Sequence, residues 1–411
     1  MNKEELRRIL QQPYQTDNWK KVVNCVFPNV SYLQIPQAIP HSNPMVESFK
    51  QLGTVRLNDG KNLALFEVKV GPKVIIPSNR VELRKLVTPL IDQERNHGVL
   101  VIYEHGTEEY RFTFTAKSTE FDEEELDFVN IETDAKRFTY ILGKNETCNT
   151  AANRFWELST QKDKATIKDV EDAFSVERLN KEFFDKYKKF YNDFVQYITG
   201  KRFEKEKGKW VEKTKGNPSP AHKIIFNGDD KRARNFIKLL LGRLVFVQFL
   251  QKKGWMGVLA KNKKWENGDK DFLLNLFNNA ESKDNFHGKY LFPLFDKAFN
   301  TPNRPNDVFE LTGNRVPYLN GGLFECEYPN SDKLDFPANY FKELLDFFGQ
   351  YNFTIDENDP FDREVGIDPE MLGHIFENLL EDNKDKGAFY TPKPIVQYIC
   401  QESLIQNLKT Y

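Results

Sequence analysis

The chain has 411 residues, 39% hydrophobic and 29% charged, a balance that suits two or three soluble globular domains and excludes a disordered chain. A formal net charge of −2 gives no bulk support to nucleic-acid binding, so any such surface must be local. No apolar run approaches the roughly 20 residues that span a bilayer, the start MNKEELRRILQQ has no secretory h-region, and Cys25, Cys148, Cys326 and Cys400 form no C-x-x-C pair, so membrane, secreted, zinc-knuckle and disulfide-framework classes drop out and the cytoplasm is the expected compartment.

In chain order, a short helix is predicted over Lys3–Gln12, and Met45–Lys50 suits a helical turn or two. Thr54–Leu57 and Lys61–Val70 read as strands joined through Asn58-Asp59-Gly60, where Asp-Gly favours a hairpin because glycine accepts positive φ. Asn79–Ile91 places Val81, Leu83, Leu86, Val87 and Leu90 at helical spacing. Gly98–Tyr103 and Tyr110–Ala116 read as two more strands around His105-Gly106-Thr107. These elements make a small α/β unit with a mostly antiparallel sheet.

From about Ala152 the pattern turns helical. Val176–Ile198 carries Phe183, Phe184, Tyr187, Phe190, Tyr191 and Phe194, an aromatic stripe that reads as core packing and not base stacking. Residues 201–220 read as a mobile linker or loop. Ala233–Leu250 is an apolar helix whose stop at Lys252-Lys253-Gly254 puts cations and then glycine where the helix dipole and positive φ prefer them. Residues 300–335 are expected to be irregular. Asp368–Leu380 is a further helix, with Pro369 in its first turn, and another begins at Pro394. The expected fold class is α+β, with an N-terminal α/β domain over 1–150, a helical segment and basic linker over 151–215, a mainly α-helical domain over 216–385, and a last segment over 386–411.

Charge is uneven. Residues 121–135 hold seven acids and no base, and residues 186–215 hold ten Lys/Arg against four Asp/Glu. Such runs are usually solvated faces, with nucleic-acid contact through 186–215 the less common alternative.

The sharpest chemical candidate is Leu65-Phe66-Glu67-Val68-Lys69. On a strand Glu67 and Lys69 share one face, while Ala64, Phe66, Val68 and Val70 point to the other. An acid and a lysine two apart form the Glu-x-Lys half of a metal-dependent nuclease site. The carboxylate would bind Mg²⁺, which polarises the scissile phosphate and lowers the pKa of an attacking water; the lysine would stabilise transition-state charge or orient the water. Such a site needs a second carboxylate. Asp59 is the candidate by spacing, but a hairpin turning at 58–60 leaves it roughly 25 Å from Glu67 along the strand unless a bulge intervenes. Cross-strand neighbours of Glu67 would then lie near Gln51–Gly53, and Glu47, in the preceding helical segment, could reach the metal. The bland reading is an exposed strand pair without function, since Glu-x-Lys alone is common by chance. No H-x-x-x-H pair, G-x-S-x-G elbow, P-loop or G-x-G-x-x-G fingerprint occurs.

The final forty residues are more specific. Asp368-Pro369-Glu370-Met371-Leu372-Gly373-His374-Ile375-Phe376-Glu377-Asn378-Leu379-Leu380, then Gly387-Ala388-Phe389-Tyr390-Thr391-Pro392 and Ile395-Val396, closely resemble the start of the adenine-specific DNA methyltransferase domain of Type IIG restriction–modification enzymes, which join nuclease, helical connector, methyltransferase and target recognition in one chain. Arg243–Trp255, Pro317–Phe324, Phe138–Gly143 and Ala173–Glu177 are similar to other segments of that family in the expected order, so the resemblance runs from about residue 50 to the end. The packing explanation of these motifs is compatible with it, because a connector mostly packs.

The resemblance implies a PD-(D/E)xK-like nuclease domain at 1–150, a helical connector, and the first segment of a methyltransferase domain at 386–411. It implies Glu67 and Lys69 as catalytic residues of a site-specific deoxyribonuclease, with Asp59 or Glu47 as second acid and Glu67 and Asp59 as Mg²⁺ ligands. Phe389, Tyr390, Thr391 and Pro392 would line an S-adenosylmethionine pocket. The sequence carries neither the Gly-rich cofactor loop nor the Asn-Pro-Pro-Tyr tetrapeptide of those methyltransferases, so methyl transfer is not expected of this chain alone. Double-stranded DNA is the expected partner, with a separate methyltransferase or specificity subunit as a further one. The rival readings are a nuclease-dead fragment that docks DNA or a subunit, and a purely structural fragment.

Overall fold

The computed structural model describes residues 1–72, 74, 97–106, 108–116, 136–206, 209–319, 322–325, 328–354, 362–369, 371–373, 375 and 393–409. The chain forms two compact units, one of residues 1–185, 270–284 and 336–368, the other of 186–269, 285–335 and 369–411. No helix among the described residues is long and apolar enough to cross a membrane.

The first unit opens with helix α1 (Lys3–Leu10). Asn2 and Glu5 exchange side-chain and backbone hydrogen bonds in a capping box that satisfies two of the donors a helix start leaves open. Helix α2 (Thr16–Val26) follows and buries Trp19, Val22, Val23 and Val26. A seven-stranded mixed sheet runs in the order β1-β2-β3-β4-β5-β6-β11 among the described residues, from β1 (Val30–Ala38), β2 (Val46–Arg56), β3 (Asn62–Val70), β4 (Gly98–Glu104), β5 (Glu109–Ala116) and β6 (Lys136–Gly143) to β11 (Asp362–Glu364). Strands β1, β2 and β3 are antiparallel, whereas β3 and β4 are parallel. Parallel neighbours require a crossover; the helix predicted at Asn79–Ile91 falls in that connection and lies outside the described residues.

Side chains on both faces of the sheet are buried. Ala64, Phe66, Val68, Val99, Val101 and Tyr103 share one buried cluster with Val46 and Phe49. On the opposite face Phe112 meets Trp19 of α2 at 4.5 Å between ring centroids, Phe155 at 5.6 Å and Phe174 at 5.4 Å. Phe155 lies in helix α3 (Asn149–Thr160), and Phe174 directly follows helix α4 (Ile167–Ala173). Edge-to-face rings of this kind add to the area that they bury.

The structure departs from the sequence expectations in three places. Met45–Lys50 is not helical: β2 begins at Val46, because pairing with β3 outweighs the weak local preference. Strand β1 was not anticipated; its pattern is interrupted by Pro36 and largely exposed, as an edge strand allows. Residues 201–214 are not a linker. Alternating Lys/Glu with Phe203, Trp210 and Val211 gives the antiparallel hairpin β7 (Lys201–Glu206) and β8 (Lys209–Thr214). Lys201 pairs there with Asp230, Arg234 with Glu212, and Lys215 with Glu204.

The aromatic-striped helix α5 (Val176–Thr199) buries Phe183, Tyr187, Tyr191 and Phe194, as core packing requires. In the second unit helix α6 (Asp230–Lys252) is capped by Asp229, whose Oδ1 accepts from the Lys231 and Arg232 amides, and it ends before Gly254 at φ 77°. Buried Arg243 of α6 donates to the carbonyls of Leu323 and Glu325 and lies against the rings of Phe295 and Phe324. The described residues of 300–335 are largely irregular, with the two-residue strands β9 (Val308–Phe309) and β10 (Asn314–Arg315) and short 3-10 turns. Helices α7 (Phe272–Asn278) and α8 (Ala338–Phe348) return to the first unit. Of the helix predicted at Asp368–Leu380, residues 371–373 and 375 are helical and most of the remainder lies outside the described residues. The last helix, α9, spans Lys393–Lys409.

Gly53 of β2 passes so close to β1 that a Cβ there would lie 2.2 Å from the Ser31 carbonyl oxygen. Gly53→Ala is therefore expected to lower stability by roughly 1–3 kcal/mol, read as a lower urea midpoint. In the second unit, burial pushes the His287 imidazole down to about 4, against about 6.5 in an unfolded chain. The unfolded state takes up the proton first, so this contribution is complete above pH 6.5 and is lost as pH falls towards 4, by about 3 kcal/mol. His287→Gln is expected to flatten that part of the stability–pH curve, measured by urea unfolding at pH 7 and pH 4.5.

Candidate active site

Strand β3 sorts its side chains as its alternation demands. Ala64, Phe66, Val68 and Val70 are buried, and Glu67 and Lys69 emerge together on the opposite face, half-buried and exposed respectively.

Glu67 is held from outside the sheet. Its Oε2 accepts hydrogen bonds from the Tyr14 hydroxyl at 2.6 Å and the Thr16 hydroxyl at 2.9 Å. Tyr14 lies in the turn between α1 and α2, with its ring 5.6 Å from that of Tyr110. Thr16 is the first residue of α2. Burial, and then the Glu67 carboxylate, hold the Tyr14 phenol protonated far above its ordinary range.

Lys69 forms an ion pair with Glu47 at 3.1 Å, and the hydrogen bond and charge of Glu47 shift the ammonium pKa upward. A bulge makes this contact. Val46 pairs with Val70 and Ser48 with Lys69, so Glu47 is an extra residue on β2, and such an insertion re-aims a side chain. Glu47 thus reaches the site from a bulged strand and not from the helical segment expected. A second irregularity, between Gln51 and Gly53, sets Glu67 opposite Lys50 instead of within the expected 51–53.

Glu104 adds a third carboxylate. It ends β4 directly beside Lys69 in the parallel register, and its Oε2 accepts from the Gly106 amide at 2.7 Å. Burial raises its pKa; the Gly106 bond opposes that shift, and the charge of Glu67 adds to it. Glu104 therefore senses the charges of Glu67 and Lys69, and Lys69 those of Glu47 and Glu104, near the carboxyl ends of two parallel strands.

Asp59 is not brought to this group. It lies at the far end of the β2–β3 hairpin, where Oδ1 accepts from the Lys61 amide at 3.3 Å and Oδ2 from the Ile167 amide at 3.0 Å. The second bond ties the hairpin tip to the start of α4. Phe389, Tyr390, Thr391 and Pro392 lie outside the described residues. The basic run is partly self-neutralised, because Lys201, Arg202, Lys213 and Lys215 all face carboxylates.

Among the described residues no group of three or more His, Cys, Asp or Glu side chains is arranged to hold a metal ion. The donors at hand are hard carboxylate oxygens, and Mg²⁺ commonly takes only one or two of these and keeps several waters. Crowding of the Glu67 and Glu104 charges is what a divalent cation relieves, so the donor set fits such an ion.

Sequence reading missed Tyr14, Thr16 and Glu104. Glu104 was open to inference from parallel pairing across the crossover. Tyr14 and Thr16 gave no local signal, since they lie 53 and 51 residues from Glu67. Asp59→Ala is expected to lower stability by about 1 kcal/mol, as loss of a helix-start acceptor does, while leaving divalent-cation binding at wild-type affinity in calorimetric titration.

No protein family pattern and no solved structure matches the chain. Over 286 residues it is 27% identical to a protein of Methanocaldococcus jannaschii whose name reads "putative type II restriction enzyme and methyltransferase". The match takes in 60% of this chain and 23% of that protein, so the chain corresponds to under a quarter of its relative's length. The chain is thus a distant relative of a protein named as both a type II restriction enzyme and a methyltransferase.

Proposed function

We propose that the first unit is a Mg²⁺-dependent DNA endonuclease domain of the PD-(D/E)xK type, serving a restriction–modification system of the Type IIG kind. The observation that carries this reading is the placement of Glu67, Lys69 and the bulge-borne Glu47 at one end of the paired strands β2 and β3, within a helix–hairpin–parallel-strand arrangement. The relative's name, a type II restriction enzyme and methyltransferase, supports duplex DNA as the substrate class and methylation as the companion activity. The resemblance at Phe389–Pro392 extends the proposal to an S-adenosylmethionine-dependent methyltransferase portion, with a separately encoded subunit as a further partner.

The reaction proposed is hydrolysis of a phosphodiester: water oxygen bonds to phosphorus and the bond to the departing sugar oxygen breaks. Glu67 and Glu104 would hold Mg²⁺, which when bound would polarise the phosphate and acidify the attacking water. Lys69 is solvent-facing, so its ammonium is free to exchange the Glu47 carboxylate for a phosphate oxygen and stabilise the charge that accumulates there. Glu47 pairs with that ammonium in the absence of DNA. Tyr14, protonated throughout, acts on Glu67 only as a donor.

Supercoiled plasmid incubated with the protein and MgCl₂ is expected to be nicked or linearised. Glu67→Ala is expected to abolish cleavage and Lys69→Ala to slow it by roughly 100-fold or more, the size usual for losing one charge-stabilising donor. Equal cleavage by wild type and Glu67→Ala would overturn the assignment.

A further inference from the structure

Two hydroxyls from one corner of the fold end on the same oxygen of Glu67. Tyr14 and Thr16 both donate to Oε2, and among the described residues no hydrogen bond reaches Oε1. A carboxylate oxygen offers two lone-pair sites, so two donors saturate Oε2.

Thr16 makes the arrangement more pointed. A threonine at a helix start commonly turns its hydroxyl onto its own helix. In α2 the preceding Gln15 makes no side-chain cap, yet the Thr16 hydroxyl reaches across to β3 instead. The tyrosine ring is fixed against Tyr110, so its hydroxyl is aimed by packing as well as by the bond.

We infer that Tyr14 and Thr16 are positioning residues that occupy both lone pairs of Glu67 Oε2, leave Oε1 as the single oxygen offered to a divalent cation, and thereby set the site's preference for Mg²⁺ over Ca²⁺. The inference rests on the proposed nuclease reading for the presence of a cation at Glu67. The preference follows from ligand chemistry. Mg²⁺ demands near-octahedral geometry and takes few protein oxygens, whereas Ca²⁺ accepts more ligands and commonly takes both oxygens of one carboxylate. A glutamate with one oxygen filled suits the first ion and denies the second its bidentate contact. Partners of this kind that orient a metal-binding side chain typically change metal affinity 10–100-fold when removed.

The test is calorimetric titration of the full chain with MgCl₂ and, separately, CaCl₂, for wild type, Glu67→Gln, Tyr14→Phe, Thr16→Val and Thr16→Ser, with thermal melts verifying that each variant is folded. Tyr14→Phe and Thr16→Val are expected to weaken Mg²⁺ binding about 10-fold or more and to leave Ca²⁺ binding equal or tighter, so that the Mg²⁺/Ca²⁺ affinity ratio falls. Thr16→Ser, which keeps the hydroxyl, is expected to keep the wild-type ratio. Two hydroxyls that served only to tie α2 to β3 would weaken both ions alike or neither; an unchanged ratio in both Tyr14→Phe and Thr16→Val, with Glu67→Gln losing cation binding, overturns this inference and leaves the nuclease reading standing. Wild type that binds neither ion, or Glu67→Gln that binds both as wild type does, overturns the two together.

Discussion

Along β3, Ala64, Phe66, Val68 and Val70 are buried among the side chains of β2 and β4, and the pleat of the strand then forces Glu67 and Lys69 out on the opposite face. A slip of one residue would exchange the faces, placing two charges in an apolar cluster. The register that stabilises the sheet is therefore the register that presents the acid and the lysine. Pairing on both sides holds β3 in place, antiparallel to β2 and parallel to β4.

The neighbouring strands add what β3 lacks. On β2 a one-residue bulge carries Glu47 to Lys69, while on β4 the strand end sets Glu104 beside the same lysine. Opposite charges so exposed stabilise the fold very little. Their concentration at one end of neighbouring strands has another consequence, an electrostatically loaded surface on which the Glu67 charge adds to the upward shift of Glu104. The α1–α2 corner completes the group from above, with two hydroxyls on Glu67. Four separate parts of the chain thus contribute to one group of side chains.

The second unit is organised around buried polar anchors. Arg243 is satisfied by two backbone carbonyls of an otherwise irregular segment, which orders that segment against α6. His287 is held neutral by burial and meets the Leu334 carbonyl. The basic stretch that suggested nucleic-acid contact is folded into a hairpin whose lysines largely face glutamates and aspartates, so much of its charge is balanced internally.

Local chemistry determined a good part of this protein. The glycine-bearing turn at 58–60, the alternation of β3, the aromatic stripe of α5 and the stop of α6 at Gly254 are each set by residues a few positions apart, where period, cap and turn preferences act. The Glu67–Lys69 pair was legible for the same reason. Tertiary structure alone decided the rest. Val46–Lys50 became strand because β3 supplied its hydrogen bonds, and the bulge that brings Glu47 to Lys69 exists only in that pairing. Asp59 had the right spacing in sequence, but its carboxylate is committed to Ile167, over a hundred residues away. Tyr14, Thr16 and Glu104 joined the site through contacts between segments that no short motif spans. The residue types and faces of the site were written locally; its membership depended on which distant segments the sheet and its covering helices brought to one end of β3.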